Sequence, residues 1–392
     1  MPKKSTSERS LSISAPVPGA DAFTDIEKPA HVASQAATLL LIGSHLRGDI
    51  PAMQARLAVT QAAPPSIAPF PAEDLSALEF PTIRVTGDRF RPKELQQISG
   101  LRLMAAVRPR KEEVRSAPAS VVAAAQNFYT NANSETAAAL LETSLRHPNQ
   151  LVRVAAASSY IDIAVDPQPA IRILEDGLNS KNLLTRDVAA YALAHADPKN
   201  PKLAELLRVK KLRSRRKRSR TSTIIHGTWA STGTWWQPGG DFWTYLHENV
   251  DPSLYGAADR FGWTGGYSDA ARADGGTKLH AWVQEHDLDG LDLFTHSHGG
   301  SVAMLANQAG TRVGRMVLLS CPVHWPKYTP QFDLVGQVVS VRVHLDLVIL
   351  ADRGGQKFSD PRIHENVLPI WFDHFATHDP ANWDRYNIKA ML

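Results

Sequence analysis

The sequence predicts a C-terminal α/β domain with a mostly parallel sheet flanked by helices, preceded by an all-α repeat module and a partly disordered N-terminus. Three observations carry that expectation. Residues 291–294 are strand-like and run through Thr295-His296-Ser297-His298-Gly299-Gly300 into the small-residue stretch 301–307, giving strand, turn and helix in succession. Residues 339–345 alternate and are rich in β-branched side chains, a second strand signal. Upstream, Leu145, Asn149, Leu151, Arg153, Ala156 and Ala157 recur as Leu178, Asn182, Leu184, Arg186, Ala189 and Ala190, an offset of 33 residues.

In chain order, residues 1–117 form an N-terminal region. Its first 28 residues are rich in Ser, Pro and Ala and read as disordered, 31–57 has room for one or two helices, and 62–71 reads as a Pro-rich linker. Helical repeats occupy 118–207. Val121, Ala123 and Ala124 stand one period before Val154, Ala156 and Ala157, which suggests an earlier, degenerate copy. Alanines on one helix face allow close packing, and His147-Pro148-Asn149 supplies a turn between helices. The repeated segment, about 119–207, resembles HEAT-like repeats. The resemblance implies stacked helical pairs with a continuous core and a surface for a protein partner.

A linker of residues 208–220 follows, beginning at Arg208 and ending at Arg220. It holds nine basic residues and no acid, more positive charge than the net +4 of the whole chain. Such a block attracts anionic lipid head groups, nucleic acid or an acidic protein face. At an anionic membrane each basic side chain contributes about 1 kcal/mol. Nucleic-acid reading finds no support, because no zinc finger, RNA-recognition signature or aromatic stacking platform accompanies the block.

Composition narrows the class. The 392 residues suffice for two domains, and all nine tryptophans follow Arg220. The lone Cys321 excludes an internal disulfide framework and suits a reducing compartment. No apolar run approaches a membrane span, and the Ser, Thr and Glu after Lys3 and Lys4 argue against a secretory signal. The expectation is a cytoplasmic protein, with peripheral contact to an anionic membrane through the basic run.

The remaining segment, 221–392, carries the chemistry. A serine flanked by single-residue spacers between a strand and a helix has the layout G-x-S-x-G, with Thr295 in place of the first glycine. A serine nucleophile needs a base, an acid to orient it and donors for a developing oxyanion. The short strand-like stretch 223–226 ends in His226-Gly227, so the N–H of Thr228 is one candidate donor, and the N–H of His298 at a helix start is the other. Asp346, directly after the 339–345 strand, is the preferred acid. Asp352 is the rival, with Arg353 beside it suggesting an ion pair instead. The preferred base is His378, on a loop between the strand-like run 363–372 and a helix from Ala381, because His374 is expected at or near the strand end. A metal reading of His226, His296 and His298 lacks a Cys or carboxylate cluster to complete a tetrahedral set.

From about Thr221 onward the chain resembles the α/β-hydrolase superfamily, and within it the lipase and esterase-like members with a His-Ser-His-Gly-Gly elbow. The order Ser297, Asp346, His378 is the order that superfamily uses, and residues 261–272 resemble the strand and helix start before its elbow. The resemblance implies a serine esterase or lipase working through a catalytic triad and an acyl-enzyme, with no cofactor. Trp229, Trp235 and Trp325 would line a mouth for an acyl ester, with Gly233, Gly239 and Gly240 loosening a flap. The alternative is a non-catalytic scaffold that keeps the fold and binds partners.

Overall fold

The computed structural model describes residues 13, 16–17, 19–46, 118–131, 134–164, 166–207 and 221–392. The linker 62–71 and the basic run 208–220 lie outside the described residues. The chain divides into two compact units, one built from residues 13–200 with 350–356, the other containing 201–349 and 357–392.

The first unit is helical: α1 (Pro29–Leu46), α2 (Ala119–Thr130), α3 (Ser134–Ser144), α4 (Gln150–Tyr160), α5 (Gln168–Gly177) and α6 (Leu183–Ala196). The two repeated asparagines are helix caps. Asn149 Oδ1 accepts from Leu151 N at 2.9 Å and Asn182 Oδ1 from Thr185 N at 3.1 Å, each satisfying a first-turn amide that the helix leaves open. The repeated Arg153 reaches back to the carbonyls of His147 and Pro148 at 2.7 and 2.8 Å, closing the turn before α4. The repeated alanines are buried and α5 packs against both α4 and α6; a methyl group on Gly177 would come within 2.8 Å of Ala189 and Val154. Helix α1 lies along α4, with Ser159 Oγ donating to Leu39 O at 2.8 Å. The boundary expected at 117/118 therefore does not separate α1 from the repeat helices, because its apolar length is buried on them.

The second unit holds α7 (Pro201–Glu205), β1 (Ser222–Ile225), α8 (Asp241–Asn249), α9 (Asp269–His286), β2 (Leu291–His296), α10 (Gly299–Gln308), β3 (Val313–Leu319) and β4 (Val335–Arg342). The short α11 (Leu347–Ala351), whose last two residues are counted with the first unit, β5 (Ile363–Val367) and α12 (Pro380–Arg385) complete the sequence of elements. All five strands are parallel and stand in chain order β1-β2-β3-β4-β5, so every connection crosses over the sheet. Ile225, Leu293, Met316, Leu318 and Val338 pack with Leu279 and Val283 of α9 and Val302 and Met304 of α10. Their strand neighbours Ile224, Phe294, Val317, Leu319 and Val339 pack with Phe242 and Leu246 of α8 and Trp383 of α12. The two-residue strand period thus feeds two apolar layers, which is why these strands read as near-continuous hydrophobic runs. Helices α9 and α10 touch closely at Gly276, where an added methyl would stand 2.6 Å from Leu305 Cβ and 3.2 Å from Ala306 N.

Two expectations change. Residues 261–266 form no strand; they run as a loop in which the Trp263 indole donates to His226 O at 2.8 Å, and α9 begins only after its cap Ser268, whose Oγ accepts from Ala271 N. The run 363–372 is regular strand only to Val367. Among the described residues no helix is long and apolar enough to cross a membrane.

Gly276→Ala should lower the unfolding free energy by about 1–3 kcal/mol through overpacking, and Asn182→Ala by about 1 kcal/mol through the lost cap. Urea unfolding of each variant against wild type measures both.

Candidate active site

The candidate residues gather at the carboxyl ends of the parallel strands, the edge where open α/β sheets place their ligands. Ser297 follows β2 directly and has φ 53°, a left-handed conformation that is uncommon for a residue with a side chain. Its N–H still donates to Leu319 O at 2.9 Å, and its carbonyl accepts from Gly300 N at 3.0 Å, so strand turns into helix within one residue. The glycines are sterically required. A methyl on Gly299 would lie 2.3 Å from Ile225 O, one on Gly300 2.4 Å from Cys321 Sγ, and one on Gly227 2.8 Å from Ser297 Cβ. Thr295 meets no such constraint: it is fully buried in the sheet and its Oγ1 donates to Val317 O at 2.9 Å.

Asp346 stands just beyond β4 and is almost fully buried. Its Oδ1 accepts from Val348 N (2.9 Å) and Ile349 N (3.1 Å), which fixes the carboxylate at the start of α11. Its Oδ2 accepts from an imidazole at 2.7 Å, and that imidazole is His374 Nδ1. The expected partner, His378, is elsewhere. Its ring stacks on Trp235 at 4.2 Å and meets His296 edge-on at 4.4 Å, while its buried Nδ1 has no hydrogen-bond partner. The correction has a tertiary cause. Beyond Val367 the chain continues alongside the segment after β4, with Phe372 N donating to Leu345 O and Phe372 bridging Asp346, and the left-handed φ of Phe372 (71°) turns the following residues over the sheet edge. His374 is therefore past the strand and beside Asp346, while His378 ends a 3-10 turn (Ala376–His378). Asp352, the rival acid, belongs to the helical unit, where its carbonyl meets His195 Nε2 at 3.1 Å.

The other histidines have structural bonds. His296 Nε2 donates to His374 O at 3.1 Å, tying the residue before Ser297 to the backbone of the Asp346-bound histidine. His298 Nε2 faces the guanidinium of Arg272 at 3.1 Å; since arginine only donates, this nitrogen accepts and the ring proton sits on Nδ1, directed to Ser301 Oγ at 3.1 Å. His226 Nδ1 donates to Gly227 O at 2.8 Å, its ring lying between Trp236 and Trp263. Burial pushes His226 down to about 4, and burial together with neighbouring His374 pushes His378 down to about 3. His296 is held well below its ordinary value by burial and by the histidines around it. These three rings stay neutral at physiological pH.

Of the expected oxyanion donors, His298 caps α10 and Thr228 follows the glycine that presses on Ser297. Trp229, with φ 55°, donates its N–H to Gly265 O at 2.9 Å and stacks on Tyr267 at 5.8 Å. Trp229 and Trp235 are both buried, and Trp235 spends one face on His378, so of the three expected substrate tryptophans Trp325 alone is exposed, at 38%. The glycine-rich stretch 233–240 is tied down: Trp236 Nε1 donates to Ala230 O at 2.8 Å, Arg260 donates to Gln237 Oε1 at 2.8 Å, and a methyl on Gly240 would strike Thr234 O at 2.0 Å. Gly233 and Gly240 serve close packing and Gly239 takes a positive φ of 84°, where a flap was expected. Sequence reasoning missed Arg272 and Tyr267, whose roles have no local signal beyond their residue types.

Compared with known proteins, the chain matches no family model, no curated protein and no solved structure.

The neutral histidines set a pH dependence. Unfolded imidazoles protonate near 6.5, whereas His226 in the folded chain does so at about 4. The unfolded state therefore binds more protons between those values, and stability present above about 6.5 is lost as pH falls toward 4, with a slope for this ring approaching about 1.4 kcal/mol per pH unit. Urea unfolding from pH 7.5 to 4.5 should show that decline, and His226→Gln should make it shallower.

Proposed function

We propose that this chain is a serine hydrolase that transfers an acyl group from an ester to water, with Ser297 as nucleophile, His374 as base and Asp346 as orienting acid. The observation that carries the reading is the 2.7 Å bond from His374 Nδ1 to Asp346 Oδ2, at the same sheet edge as a serine held in a left-handed turn. Asp346 Oδ1 already accepts two amides, and Oδ2 accepts from His374 Nδ1, which fixes the imidazole tautomer and leaves His374 Nε2 with the lone pair.

In this scheme Ser297 Oγ attacks the ester carbonyl carbon while His374 Nε2 takes the hydroxyl proton. The tetrahedral oxyanion is met by the N–H groups of Thr228 and His298, the latter also at the positive end of α10. Collapse breaks the bond to the alcohol, which leaves with the proton from His374. Water, deprotonated by the same imidazole, then releases the acid and restores the hydroxyl. Asp346 holds the imidazole in place throughout and stabilises the imidazolium. The chemistry needs no cofactor. The buried aromatic surroundings favour an apolar acyl group, and Trp325 is the exposed aromatic that would meet it. The helical unit, with its HEAT-like repeat pattern, and the basic run 208–220 are read as attachment devices toward a protein partner and an anionic surface, which fits a cytoplasmic enzyme working at a membrane.

Steady-state hydrolysis of nitrophenyl esters of increasing chain length tests the assignment. Ser297→Ala and His374→Ala should each lose about 10⁴-fold or more in kcat, and Asp346→Asn about 10⁴-fold. His378→Gln should keep activity within about tenfold of wild type, because its ring is a packing element against Trp235. Full activity in His374→Ala combined with loss in His378→Gln would reverse the choice of base.

A further inference from the structure

Arg272 is a buried cation in the first turn of α9, only 6% exposed. A guanidinium in that position is costly unless each donor is met. Its Nε donates to Tyr328 Oη at 3.0 Å, Nη1 to His298 Nε2 at 3.1 Å and Nη2 to Asp269 Oδ1 at 2.8 Å. The rings of Tyr267 and Tyr328 each lie 5.4 Å from its central carbon. Burial works to raise the Asp269 carboxyl, but hydrogen bonds from Arg272, Lys327 and Tyr328 hold it well below its usual range, so it stays a counter-charge. Burial and the bond to Asp269 push the Tyr328 phenol up to about 12.

Two arms of this cluster end at the two proposed oxyanion donors. One arm fixes the ring of His298, the residue after the nucleophile: with Nε2 accepting from Arg272 and Nδ1 donating to Ser301, the side chain has one tautomer and one orientation, and its outer face is covered by His324 at 5.5 Å. The other arm runs from Arg272 through the Tyr267 ring to Trp229, stacked at 8° between planes, the residue immediately after Thr228. Trp229 is itself in a left-handed conformation that its bond to Gly265 O and this stack maintain. We infer that Arg272 is a positioning residue that clamps both halves of the oxyanion site, holding the Thr228 and His298 amides in register with Ser297. This role rests on the serine-hydrolase reading above.

The test uses the full chain as wild type, Arg272→Met and Arg272→Lys. Lysine keeps the charge that Asp269 requires but cannot reach three partners at once. With a short nitrophenyl ester, both variants should lose about 100-fold in kcat, as expected of a small misplacement of oxyanion donors, with KM held within about threefold. Affinity for a trifluoromethyl ketone, which forms a tetrahedral oxyanion on the serine, should fall by a similar factor. Independently of activity, ¹⁵N NMR of the histidine rings at neutral pH should show His298 with its proton on Nδ1 in wild type and a tautomer mixture in the variants. Wild-type kcat in either folded variant, a change in KM alone, or an unaltered His298 tautomer would overturn the proposal. Failure of both variants to fold would assign Arg272 a structural role instead. A wild-type chain with no esterase activity would remove the hydrolase reading itself, a result distinct from active variants.

Discussion

The contact on which the site depends is the close approach of the β2–α10 turn to the end of β1. Residues 299 and 300 pass so near Ile225 O, His226 O and Cys321 Sγ that only glycine fits, and Gly227 returns the favour against Ser297. With those glycines in place the strand can become a helix in one residue, and Ser297 absorbs the change of direction in its left-handed φ. Such a conformation costs about 1–3 kcal/mol and persists only where surrounding structure overdetermines it. Here the anchors are the Ser297 N–H bond to Leu319 O and the burial of α10 between the sheet and α9. The turn leaves the buried Ser297 at the sheet edge, directly before the first turn of α10.

The same edge carries a directed set of hydrogen bonds. Asp346 is an acceptor for two amides and one imidazole; His374 is oriented on its ring by Asp346 and on its backbone by His296. Around them, His226, His296 and His378 are buried and neutral, so the cluster adds aromatic packing without adding charge beside Ser297. The buried guanidinium of Arg272 is compensated by Asp269.

Local pattern was enough to read the strand, turn and helix around Ser297 and the turn at His147-Pro148-Asn149 between repeat helices, because each depends on neighbours within a few residues. Asp346 followed from its place after a β-branched strand. The histidine that meets it did not: His374 and His378 differ by one helical turn, and the choice is made by the bridge between Phe372 and Asp346, a contact across 26 residues of chain. Tryptophan positions showed how aromatic the region is but not which way each ring points, and Trp235 faces a histidine where a substrate was expected. Gly233 and Gly240 suggested freedom, whereas the structure uses them for proximity. The packing of α1 on α4 was illegible for a similar reason, since residues 47–117 separate it from the repeat and no periodicity links the two.

The most direct measurement is covalent: treat the native full chain with a fluorophosphonate, digest it and locate the added mass. One adduct, on the peptide containing Ser297 and absent from Ser297→Ala and from heat-unfolded protein, is the expected result. Native protein that takes up no reagent, or takes it up equally without the Ser297 hydroxyl, would contradict the proposed nucleophile.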